Sequence, residues 1–63
     1  MTEFEKRFNF IEIKRDLFVV LYKSIDIENI YFITIDQNFK KRFYAETETK
    51  AIEIYNDFIK SLH

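Results

Sequence analysis

LFVVLY at residues 17–22 and IYFITI at residues 30–35 decide how this chain folds, because both are apolar at alternate and at intervening positions alike. A strand with one wet face alternates apolar with polar, whereas a continuously apolar strand asks for cover on both faces. With Leu17, Val19 and Leu21 on one face, Phe18, Val20 and Tyr22 take the other, and Ile30 and Phe32 oppose Tyr31, Ile33 and Ile35 in the same way. The question is what dries the second face in a chain of 63 residues.

Outward from that pair, the chain divides at polar turns. It has no glycine and no proline, so its turns must come from Asn, Asp, Ser and Lys. DQNFK (36–40) marks the clearest hairpin, with Asn38 suited to the left-handed conformation that a short loop demands. KRD (14–16) marks a second turn and SIDIEN (24–29) a looser one. The expected strands are about 4–13, 17–23, 29–36 and 39–45, with 8–13 the preferred core of the first and a bulge where its apolar face switches. Three strands plus a short amino-terminal element is the alternative.

The final segment changes period. In TETKAIEIYNDFIKSLH (47–63), Ala51, Ile52, Tyr55, Phe58, Ile59 and Leu62 fall on one side of a helix of about residues 47–62, and Glu53, Asn56, Asp57 and Lys60 on the other. Thr47 or Thr49 can cap it. The expectation is one α+β domain over 1–63: a two-layer, antiparallel four-stranded β-meander with a carboxyl-terminal amphipathic helix.

One helix covers one face. Burying a large apolar side chain is worth about 1.5–3 kcal/mol, so several left wet would rival the net stability of a small domain. A face-to-face homodimer through Phe18, Val20, Tyr22, Tyr31, Ile33 and Ile35, as interface or core, removes that cost, and twofold dimers are the commonest closed assemblies. The competing reading folds residues 1–10 back as a helix over the second face of a monomer.

Composition excludes much else. There is no Cys, and the sole His is His63, so disulfides and His or Cys metal sites are not expected, nor is a cofactor. The familiar nucleophile and base pairs cannot be assembled, and the carboxylates Glu46, Glu48, Glu53 and Asp57 fit a solvated helix face, so no enzymatic activity is expected. No apolar run approaches the ~18 residues of a membrane span, and the amino terminus MTEFEKRF is charged, which points to a cytoplasmic protein and a complete small reading frame. Richness in Ile, Lys, Asn and Phe suits an AT-rich bacterium or its phage.

Ten basic against eleven acidic residues give no global pull toward nucleic acid. Locally, Lys40, Lys41 and Arg42 precede Phe43 and Tyr44, a basic and aromatic strand able to hold a phosphate backbone. KKRFYAETETKAIEIYNDFI (40–59) resembles the strand-to-helix ending of the arm-type DNA-binding domains of phage and transposon integrases, through the basic strand, Thr49-Lys50-Ala51 and Tyr55. The resemblance implies a three-stranded sheet packed on a carboxyl-terminal helix, with the sheet entering the major groove. Those domains are basic and turn on glycine; this chain is neither, and it is not assigned to them.

The functional expectation is a small non-catalytic homodimer that docks on another protein and blocks it, as a phage inhibitor of a host or antiviral-defence protein would. Its partner-binding candidates are Lys40, Lys41, Arg42 and Tyr44 on the strand and Glu53 and Asp57 on the helix. A nucleic-acid-binding regulator using the same strand is the alternative, and a nucleotide sponge at the dimer interface a third.

Overall fold

The computed structural model describes residues 9–62. Four antiparallel strands, β1 (Phe10–Asp16), β2 (Val19–Ser24), β3 (Ile30–Ile35) and β4 (Asn38–Tyr44), form one sheet in the order β1-β2-β3-β4, and α1 (Glu48–Ser61) follows. This is the α+β meander with a terminal helix that the hydrophobic pattern dictates. Of the expected first strand, residues 4–8 lie outside the described residues, as does most of the proposed amino-terminal cover.

The register assigns the faces. Val19, Leu21 and Lys23 pair with Ile35, Ile33 and Tyr31, while Val20 and Tyr22 pair with Thr34 and Phe32. Residues directly opposite share a face. The first set lies under the helix, where Val19, Leu21, Tyr31, Ile33, Ala45, Ala51 and Tyr55 make the buried core, flanked by Ile13, Ile35, Phe43, Ile52, Ile54, Phe58 and Ile59. Ile54, which helical spacing leaves off the stripe, joins this packing.

The helix is fixed at both ends and in the middle. Thr47, extended at φ −134°, accepts from the Lys50 N–H at 3.1 Å, and Glu48 in the first turn and Lys60 in the last complement the dipole. At its centre the Tyr55 hydroxyl donates to the Val19 carbonyl at 2.6 Å in a buried setting. That bond ties the helix to the first residue of β2. Burial pushes the Tyr55 phenol above its ordinary acidity range, and the negative charge of Asp16 adds to this.

Two sequence expectations need correction. Lys14–Asp16 is not a turn: Lys14, Arg15 and Asp16 pair with Leu21, Val20 and Val19, and the chain reverses through Leu17 and Phe18 alone. The polar composition of KRD loses to two long-range contacts that set where β2 begins, Tyr55 on Val19 and the Asp36 N–H on the Phe18 carbonyl at 3.0 Å. Leu17 therefore leaves the strand, at φ 57°.

In the second hairpin, the left-handed residues are Asp36 (φ 51°) and Gln37 (φ 68°), not Asn38. Asn38 opens β4 opposite Ile35, and its side-chain amide donates to the Asp36 carbonyl at 3.2 Å. Two consecutive left-handed residues match the right-handed twist of the strands they join.

The second face of the sheet is partly dry within one chain. Val20 and Tyr22 are only 3% and 2% exposed within the single chain, which places them in its core. Phe10 packs on Phe32 at 4.2 Å between ring centroids and lies 6.4 Å from Tyr22, and Phe32 meets Phe39 at 5.8 Å. Aromatic contacts thus fill part of this face.

Candidate protein-binding surface

The six apolar residues assigned to an interface or core do not act as one surface. Tyr31, Ile33 and Ile35 lie on the helix side, Val20 and Tyr22 on the opposite side, and Phe18 on the β1–β2 tip with more than half its surface exposed. Side-chain alternation within each strand was legible; the cross-strand register that joins one strand's odd positions to another's was not.

The basic strand is divided too. A bulge interrupts the β3–β4 register between Ile33 and Thr34, which pair with Lys41 and Phe39, so Lys40 is the extra residue. Lys41, opposite Ile33, is on the helix side, whereas Arg42 and Tyr44, opposite Phe32 and Ile30, share the other face with Phe39. Lys40, Lys41, Arg42 and Tyr44 are all exposed on the outer strand of the sheet. Lysines and a bulge on such an edge hinder strand-to-strand association. Glu53 and Asp57 sit on the exposed helix surface beside Asn56 and Lys60, with a Lys50–Glu53 ion pair at 3.6 Å. Being well exposed, that pair contributes little to stability.

The surface that sequence reasoning missed is the end of the molecule where both hairpins turn. Leu17 is 82% exposed, the most of any large apolar side chain described, and Phe18 and Leu62 are exposed beside it. Together with Asp16, Val19, Ile35 and Ile59 they line an apolar groove of about 300 Å³ between the β1–β2 tip and the last turn of α1. No local signal marks it. Leu17 and Phe18 read as strand, and Ile59 and Leu62 as the dry stripe of the helix.

On the far side of the same tip is a smaller cavity of about 130 Å³, lined by residues including Arg15, Phe18, Val20, Thr34 and Asp36. Among the described residues, the buried Thr34 hydroxyl in its walls has no hydrogen-bond partner. Arg15 is paired with Glu12 at 2.7 Å, an exposed ion pair.

Among the described residues no three His, Asp or Glu side chains gather as metal ligands, and no helix is long and apolar enough to cross a membrane. No protein-family model, no curated protein and no solved structure matches this chain. The sheet has four strands, against the three that the integrase resemblance implies.

Proposed function

We propose that the chain is a non-catalytic binding protein that acts as a homodimer and works by covering a surface of another protein. The observation that carries this is the hairpin-tip end, where Leu17, Phe18 and Leu62 are held in water around an apolar groove. Exposed apolar surface of this kind, rimmed by polar residues, is what protein contacts use. The β4 edge and the outer face of α1, with Lys40, Lys41, Arg42, Tyr44, Glu53 and Asp57, then remain available to the target. Occlusion needs only shape and charge. With the composition, it makes the chain a phage-type inhibitor of a host or defence protein.

The test is recovery of tagged protein from its natural host after nuclease treatment. A stoichiometric protein companion, lost on reversing charge at Arg42 or at Glu53 and Asp57, is the expected result; loss of everything captured once nucleic acid is digested would overturn it.

A second reading has its own observation: Arg42 shares a face with the exposed rings of Phe39 and Tyr44, a pattern that can stack bases and neutralise phosphate. Retention on single-stranded DNA that weakens steeply with salt and falls in R42A would favour it.

A further inference from the structure

The cavity on the far side of the hairpin tips has a polar chemistry that the apolar groove lacks. Its buried lining is Val20, Tyr22 and Thr34, and its exposed lining includes Arg15, Asp36 and Gln37. Thr34 is 1% exposed, and among the described residues its hydroxyl has no hydrogen-bond partner. A hydroxyl both donates and accepts, and leaving one buried and unmatched is costly, so folds keep few of them without a use.

The backbone around this cavity is unusual as well. Of the four described residues with left-handed backbone, Leu17, Asn29, Asp36 and Gln37, all but Asn29 line it. Such conformations concentrate where a fold clamps a ligand, because they persist only when the surrounding structure over-determines them. Here the Asp36 N–H, bonded to the Phe18 carbonyl at 3.0 Å, holds the two tips together beside the opening.

Size and charge narrow the occupant. About 130 Å³ is the space of roughly four waters and lies well below the ~300 Å³ at which pockets for drug-sized ligands begin, so a nucleotide does not fit. The lining carries one cation, Arg15, and one anion, Asp36, so a charged occupant meets its like as well as its opposite. A neutral group that both donates and accepts suits all three polar walls. A primary carboxamide is such a group, with an amide to donate toward Asp36 and a carbonyl to accept from Arg15 or Thr34.

We propose that this cavity is a binding site for a small neutral carboxamide, held by the Thr34 hydroxyl at its floor and by Arg15 and Asp36 at its mouth. The group arrives either free or at the end of an asparagine or glutamine side chain of a bound protein. Neither source depends on the homodimer.

Titration of the full chain with propionamide, acetate and methylammonium, followed by the NMR shifts of Val20 and Thr34, tests this. The expected result is saturable binding of propionamide with a dissociation constant on the order of millimolar, and roughly tenfold weaker binding of both ions. T34V keeps the side-chain shape and removes the unmatched hydroxyl, so it should fold at least as stably as wild type and bind propionamide roughly tenfold more weakly. D36N removes the anion with a residue that accepts the left-handed conformation, and acetate should then bind more tightly than it does to wild type. N-acetylglutamine methylamide separates the sources: binding at least as tight as that of propionamide assigns the cavity to a protein side chain, and weaker binding assigns it to a free ligand. Shifts unmoved by propionamide, equal for the three small probes, or unchanged by T34V would leave the cavity to water and overturn the proposal.

Discussion

The two hairpin tips lie side by side, joined by the Asp36 N–H on the Phe18 carbonyl, and each reverses the chain in two residues. The β3–β4 tip meets the left-handed requirement with Asp36 and Gln37, polar side chains in water, and Asn38 adds a side-chain bond to its carbonyl. The β1–β2 tip meets it with Leu17, in the same solvent and the same backbone region. One tip follows turn chemistry and the other contradicts it. A turn that folding alone had shaped would resemble the first, so the apolar tip is the place to look for a contact beyond the fold.

The comparison can be tested most severely through Tyr55, whose hydroxyl holds Val19 at the foot of the apolar tip. Y55F leaves a buried carbonyl without that donor and should lower unfolding free energy by about 1–3 kcal/mol in denaturant titration. The same variant has a pH signature. Because the folded phenol is held above its unfolded acidity of about 10, the stability linked to its proton is fully present below that pH and is lost as pH rises toward the folded value. The gap between wild type and Y55F should therefore be flat at neutral pH and narrow above about pH 10.

Next in size is a direct trade of chemistry between the tips. D36V places a β-branched residue at φ 51° and should cost about 1–2 kcal/mol, read by thermal unfolding. L17N makes the opposite change and should stabilise the dilute chain by about 1 kcal/mol, since it removes a left-handed penalty without emptying the core. Loss of stability in L17N would mean that Leu17 supports the fold, and the contrast between the tips would collapse. Smallest is N38A, which removes an exposed bond at the polar tip and should cost about 0.5–1 kcal/mol.

These particulars show how far the sequence could be read. The continuous apolar runs LFVVLY and IYFITI, bounded by polar turns, and the helical spacing of Ala51, Tyr55 and Phe58 gave strands, helix and order, because such patterns are local. The cap was narrowed to Thr47 or Thr49, and Thr47 fills it. The β1–β2 turn was not legible, since KRD is the better turn by composition and lost to bonds made by residues far along the chain. The candidate site fared worse: Lys40, Lys41 and Arg42 are consecutive, yet a bulge and the pleat send them in different directions.

Alone, the amino-acid sequence determined that a small sheet with two apolar faces would form and that a single amphipathic helix would follow it, because burial period and capping depend on neighbours a few residues apart. Tertiary structure decided which strand positions share a face, where β2 begins, and that Leu17 rather than a polar residue projects from the tip. Those outcomes depend on register and on the Tyr55 and Asp36 bonds, which link residues 18 to 36 positions apart and leave no trace in any local stretch.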